Sequence, residues 1–235
     1  MPCQEKPKPQ CPDFIKDSWV WDDQCNPSEV DLSSDLTEAY FYVDPDIQST
    51  GAVGVRGSKG FCKGEHYWEV IFLEPPCGTS MMIGVGTADA ALQSETCKQV
   101  NLLGRDTESW GLSYKGSTWH AGVSRKYCEP FYAKDTVIGV HLDLNQGHLT
   151  FYKDGVCLGP AFTGLKATTH RRLYPIVCST ARESELGLGD RFFRPGQPTR
   201  LQGDCLEKIR NSLASVESVE ALPLPRVMKN YLKGM

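Results

Sequence analysis

Ten cysteines and five histidines are the side chains of this sequence best suited to nucleophilic or metal chemistry. A cysteine hydrolase needs an exposed, low-pKa thiol beside a histidine. A structural zinc site needs closely spaced ligand pairs, and no Cys-x-x-Cys occurs. His141-x-Asp143 has the residue types of a catalytic or metal pair, but both lie on the polar face of an alternating strand with no nucleophile motif nearby. They read as sheet surface. Gly84-Val85-Gly86 lacks the third glycine and the following helix of a dinucleotide loop. Gly51, Gly54 and Gly57 are followed by no Gly-Lys-[Ser/Thr], so they read as a loop or a close strand approach. Arg171-Arg172 is too short for a nucleic-acid patch. No cofactor and no metal are expected.

The elements that must position these residues are mostly strands. The chain has 235 residues, 40% of them hydrophobic and 23% charged, with 25 Lys+Arg against 29 Asp+Glu and a net charge of −4. That composition fits a soluble globular protein. It disfavours a phosphate-neutralising nucleic-acid binder, and no apolar run approaches the ~20 residues of a membrane span. Residues 1–17 hold four prolines and mixed charges without periodicity, and read as a flexible lead-in with no signal peptide. Cys62, Cys157, Cys178 and Cys205 sit in apolar-patterned segments, where free thiols behave as small hydrophobes. Reduced thiols and a cytoplasmic location, extending to the nucleus, are the expectation.

From Trp19 to about Asp190, short β-like runs alternate with turn residues. Trp68, Val70 and Phe72 share one face, and Met82-Ile83-Gly84-Val85-Gly86 reads as a buried strand. Val140, Leu142 and Leu144 alternate with His141 and Asp143. Asn145-Gln146-Gly147 turns the chain into Leu149-Thr150-Phe151-Tyr152, and Asp154-Gly155 supplies the positive φ of a type I′ hairpin. Residues 173–179 and 184–189 are the expected last strands. Trp68, Trp110 and Phe151 are expected in the core. Repeated short strands without a convincing helix indicate a mainly β, antiparallel β-sandwich.

The pattern then changes. Thr199 and Gln202 fit a helix capping box. Leu201, Cys205, Leu206, Ile209, Leu213 and Val216 follow at helical spacing. Each proline of Leu222-Pro223-Leu224-Pro225 disfavours helix in its predecessor, so this stretch is expected to be extended. A short helix over residues 226–233 would carry Val227, Met228, Tyr231 and Leu232. The last 37 or so residues are too few for a core of their own. Their stripes must pack on the sandwich, on another chain, or on both.

Several blocks, taken in order, are more specific. They are Trp19-Val20-Trp21-Asp22, Gly64-Glu65-His66-Tyr67-Trp68-Glu69, Leu103-Gly104-Arg105-Asp106, Ser109-Trp110-Gly111-Leu112-Ser113-Tyr114, Ile138-Gly139-Val140-His141-Leu142-Asp143 and Tyr174-Pro175-Ile176-Val177-Cys178-Ser179-Thr180. Together they resemble a SPRY domain, and the tail resembles a SOCS box. The chain is thus similar to the SPRY domain-containing SOCS box proteins. The resemblance implies a flexible segment over 1–17, a SPRY sandwich for substrate recognition over 18–195, and a small α-helical SOCS box over 198–235.

In that family the SOCS box docks elongin B and elongin C, and cullin-5 with its RING subunit. Leu201, Cys205, Leu206 and Ile209 match the elongin-binding helix, with Arg200 where the pattern has Ser, Thr or Pro. Leu222, Pro223, Leu224, Pro225, Tyr231 and Leu232 match the cullin-binding element. The resemblance implies an adaptor that binds a short peptide of a target protein and promotes its ubiquitination and proteasomal degradation. The adaptor itself is not an enzyme, and it contacts neither nucleic acid nor membrane.

The family's peptide loops match residues 43–50, 99–105 and 179–183 here. The implied contacts are Pro45, Gln48, Ser49, Thr50, Gln99, Asn101, Leu102, Leu103, Gly104, Thr180 and Ala181. Gln99 stands where relatives have tyrosine, and Ala181 where they have tryptophan. Val43 and Asp44 replace two arginines. Lost aromatic area and lost positive charge imply a different peptide preference, with an Asn-containing motif retained. Two rival readings remain: a SPRY interaction scaffold that engages no ligase, and a cysteine hydrolase using one of the ten thiols.

Overall fold

The computed structural model describes residues 14–25, 27–42, 51–94, 101–167, 170–181, 183–196, 205, 208–209 and 219–233. The chain divides into two compact units, Met1–Arg194 and Pro195–Met235.

The first unit is an antiparallel β-sandwich. Its strands are β1 (Ile15–Lys16), β2 (Val30–Leu32), β3 (Glu38–Phe41), β4 (Val53–Arg56), β5 (Glu65–Phe72), β6 (Met81–Gly86) and β7 (Ser109–Ser113). β8 (Ser117–His120), β9 (Val123–Lys126), β10 (Val137–Asp143), β11 (His148–Lys153), β12 (Val156–Thr163), β13 (Tyr174–Ser179) and β14 (Ser184–Arg194) follow. One sheet runs β12-β11-β10-β5-β14-β3-β2, with β1 on β14; the other runs β4-β13-β6-β7-β8-β9. Period-two alternation sends Trp68, Val70, Phe72, Ile138, Val140, Leu142, Leu149 and Phe151 inward from the first sheet. Val53, Val55, Met81, Ile83, Val85, Leu112 and Val177 meet them from the second. The meander β10-β11-β12 follows the expected turns, and Asp154 and Gly155 carry φ of 49° and 82°.

Four expectations are corrected here. Residues 15–17 are not a loose lead-in: Ile15 and Lys16 pair with Phe193 and Phe192, and buried Asp17 accepts from Lys59 Nζ at 2.7 Å. The last strand does not stop at Gly189, because a bulge between Leu188 and Arg191 realigns it with β5 as far as Arg194. Trp110 is only half-buried and stacks on His120, with ring centroids 4.5 Å apart. Asp143 is buried rather than on the sheet surface; its carboxylate accepts from the Asn145 and Gln146 amides and holds the β10–β11 turn.

In the second unit, Cys205, Lys208 and Ile209 are helical, and α1 spans Arg226–Lys233. Buried Val219 and Leu232 gather half-buried Ile209, Leu222, Leu224 and Met228 into a small cluster within the unit. The tail therefore has an apolar centre of its own, which its length had argued against. Residues 222–225 are not fully extended. The Leu224 amide donates to the Leu222 carbonyl at 2.8 Å, a γ-turn whose central φ Pro223 already favours. The Pro225 carbonyl then accepts from Met228 and Lys229 and starts α1.

Candidate functional site

Two backbone segments build the candidate peptide-binding end, and glycine packing explains the first. Residues 101–106 cross the outer face of the second sheet as a strap. The methyl carbon Cδ2 of Leu102 lies 3.3 Å from where a Cβ on Gly54 would be, and the Cβ of Leu103 lies 2.6 Å from one on Gly111. Bare glycines on β4 and β7 thus leave room for two leucines, which form a second cluster with Met82, Ile176 and Cys178. Gly104 presses against the Trp119 carbonyl, and its own amide donates to Ser109 Oγ at 2.9 Å. The strap ends at the β8–β9 hairpin, where the Gly104 and Asp106 carbonyls accept from Gly122 and Ala121.

The second segment is the β13–β14 turn. Ser184 Oγ donates to Ser179 Oγ at 2.7 Å, and Ser179 Oγ accepts from the Ala181 amide at 2.9 Å. The Thr180 amide donates to the Ser80 carbonyl, while Thr180 Oγ1 accepts from the Ser80 amide, both at 2.8 Å. These bonds tie the turn to the β5–β6 loop. Gly78 in that loop lies so close to Ala181 that a Cβ on it would be 2.9 Å from the Ala181 Cβ. The Gly78 carbonyl accepts from Tyr114 Oη at 2.5 Å. Cys77, Tyr42 and Tyr132 are exposed at the same end.

The titratable groups elsewhere serve the fold. His141 faces the Glu65 carboxylate and Arg194 Nε donates to it at 3.1 Å; together they pull the carboxyl down to about 2 against its burial. Burial lowers His66 to about 4; its ring stacks on Phe61 at 3.8 Å, and Nε2 meets the Lys63 carbonyl. Burial pushes the Cys178 thiol up to about 12, which leaves it without nucleophilic thiolate near neutral pH. His141 faces Glu65 at 3.6 Å, an ion-pair geometry on the outer surface of the first sheet. Among the described residues no three His, Cys, Asp or Glu side chains group as metal ligands, and no helix is long and apolar enough to cross a membrane.

The comparisons with known proteins agree with this architecture. The SPRY domain family matches residues 65–189. The chain is 39% identical over 215 residues to SPRY domain-containing SOCS box protein 3 of Xenopus tropicalis, covering 91% of this chain and 57% of that protein. It is 34% identical over 224 residues to SPRY domain-containing SOCS box protein 2 of Homo sapiens, covering 88% of this chain and 81% of that protein. The chain belongs to the SPRY domain-containing SOCS box family. It spans 57% and 58% of the length of the two Xenopus relatives. Two solved structures share the fold: the TRIM65 PSpry domain and the human HERC1 SPRY domain, each at TM-score 0.57. Their identities are 23% and 15%; they cover 74% and 72% of this chain, and the match takes in 90% and 97% of their own chains.

For this SPRY domain-containing SOCS box chain, the described site residues fall into two groups. Asn101 is half-buried. Leu102, Leu103, Gly104, Thr180 and Ala181 are buried. Leu102 and Leu103 seat the strap over Gly54 and Gly111, while Thr180, bonded to the Ser80 backbone, and Ala181, packed on Gly78, seat the turn. Pro45, Gln48, Ser49, Thr50, Gln99, Leu201 and Leu206 lie outside the described residues, as do Thr199, Gln202 and the side chain of Tyr231. In the second unit Cys205, Pro223 and Pro225 are exposed, while Ile209, Leu222 and Leu224 are half-buried. Leu232, expected as a cullin contact, is buried in the unit's own cluster. Sequence reading missed the bracing by Ser80 and Ser184 and the exposed Tyr42 and Tyr132. Ser80 and Ser184 carry no motif. Tyr132 follows Phe131, and only the fold decides which of the two aromatic neighbours turns inward.

Proposed function

We propose that this chain is a non-catalytic substrate-recognition adaptor of an elongin B/C–cullin-5 RING ubiquitin ligase. The loop end of the sandwich holds a short, Asn-containing peptide of a target protein. The SOCS-box unit binds elongin C and elongin B through Leu201, Cys205, Leu206 and Ile209. Leu222, Pro223, Leu224, Pro225 and Tyr231 face cullin-5 and its RING subunit. Leu232 supports that surface from beneath.

The observation that carries this reading is the pairing of a SPRY sandwich with a separate compact unit, in which a Leu-Pro-Leu-Pro turn starts an amphipathic helix. The exposed, helical Cys205 supports it, since a small side chain open to solvent leaves room for a partner's groove. Each large apolar anchor seated there contributes roughly 1.5–3 kcal/mol. The proline-fixed turn reduces the conformational entropy lost on docking.

Function then follows from proximity. Holding the target and the ubiquitin-carrying machinery on one scaffold raises the effective concentration of target lysines at the donor. No residue of this chain takes part in the chemistry, and the target is marked for proteasomal degradation. The setting is the cytoplasm and the nucleus. The test is co-purification with elongin B/C. Wild-type chain retains the pair and Leu201→Ala plus Cys205→Phe loses it; equal capture by both rejects this docking mode.

A further inference from the structure

Gly78 and Ala181 pack closely at the β13–β14 turn. The exposed aromatic surface at this end is reached through Gly78. Tyr114, whose hydroxyl donates to the Gly78 carbonyl, meets Tyr132 edge-on with centroids 5.7 Å apart. Tyr132 is 59% exposed. Its direction is set by its neighbour: Phe131 is buried against Phe72, and the Phe131 amide donates to the Tyr114 carbonyl at 3.0 Å. Lys115 also reaches the Tyr114 ring. Its Nζ is 5.6 Å from the Tyr114 ring centroid and donates to the Thr79 carbonyl at 2.8 Å. Among the described residues Lys115 makes no ion pair, whereas Lys126 and Lys134 are matched by Glu129 and Glu74.

We propose that Tyr132 and Lys115 form an outer subsite of the peptide-binding end, taking a target segment that carries a carboxylate side chain next to a large apolar one. A tyrosine already held by a packed neighbour loses little side-chain entropy on binding, which suits it to anchor a ligand. An exposed ammonium that makes no ion pair among the described residues favours a partner's carboxylate and disfavours a basic segment. The Lys115 Nζ and the Tyr132 ring centre lie 5.6 and 5.7 Å from the centre of the one Tyr114 ring, so one short extended peptide can reach both. This inference rests on the reading of the sandwich as a peptide receptor and adds two specificity determinants to it.

The full chain is panned against a phage-displayed library of short randomised peptides, and the selected peptides are titrated by calorimetry. The selected sequences should pair Asp or Glu with a large apolar residue. Tyr132→Ala and Lys115→Glu should each weaken binding by about tenfold. A peptide whose acid is changed to lysine should bind Lys115→Glu better than wild type, an outcome that loss of folding cannot produce. Peptides that bind wild type and both variants equally overturn the subsite and leave the receptor reading standing. A library that yields no binder overturns both, while elongin capture tests the docking tail independently. A dimer in solution that Tyr132→Ala dissolves would show that a second copy of the chain occupies this surface, and would overturn the peptide assignment.

Discussion

Gly84 and Trp110 are in van der Waals contact across the β6–β7 pair, so closely that a Cβ on Gly84 would overlap the Trp110 carbonyl oxygen. The Gly111 Cα would lie only 2.8 Å from that Cβ. The obstacle is backbone on both counts and cannot rotate away. Gly84→Ala should therefore part β6 from β7 and destabilise the sandwich by about 3 kcal/mol or more. Urea unfolding followed by tryptophan fluorescence reads this directly. A midpoint within error of wild type would show that the two strands are not held this tightly.

Acid should weaken the sandwich in two successive, slightly overlapping windows. His66 is lowered from 6.5 to about 4, so the unfolded chain binds its proton before the folded one does. The stability from keeping this ring neutral is complete above pH 6.5 and is lost as pH falls towards 4. Glu65 is lowered from 4.5 to about 2, and its contribution is complete above pH 4.5 and lost as pH falls through 2. His66→Phe should flatten the upper part of the stability–pH curve, and Glu65→Gln the lower part. Urea midpoints measured across pH 7 to 2 separate the two. A curve that keeps both slopes in the variants contradicts the assignment.

Thiol reactivity should follow burial. Cys25, Cys77 and Cys205 are exposed, whereas Cys178 is buried with its thiol pushed up to about 12. A maleimide probe at neutral pH, read by peptide mass spectrometry, should label the first three in the native state and leave Cys178 unmodified until the chain is unfolded. Labelling of Cys178 at the rate of Cys77 would mean that the strap over it opens freely. One exposed cysteine reacting far faster than the other two would favour the hydrolase reading instead.

The second unit should depend on a single side chain. Leu232 and Val219 are its buried apolar residues among those described. Leu232→Ala removes area worth about 2–4 kcal/mol, which an eight-residue helix has little means to replace. Amide exchange over Arg226–Lys233 should become fast, while protection in β5, β10 and β14 stays unchanged. Unaltered exchange in α1 would show that this cluster does not hold the helix.

Much of the sandwich was legible in the residue pattern. Alternation in β5 and β10 names the inward face, and Asp-Gly names a hairpin, because both signals are local. The end of β14 was not legible. A bulge is a misalignment between two strands, and no single strand contains it. Residues 15–17 were misread for the same reason: their order comes from Phe192, Phe193 and Lys59, which lie far along the chain.

The candidate site divides in the same way. Family membership follows from sequence alone, since motif order is a property of the chain. Whether a loop residue faces outward or seats the loop is decided by what lies beneath it. Leu102 and Ala181 turn inward because Gly54 and Gly78, remote in sequence, leave them room, and Leu103 does so over Gly111 on the adjoining strand β7. Tyr132 faces outward because Phe131 takes the place against Phe72. Contacts between distant residues set these orientations, so only the folded chain could reveal them.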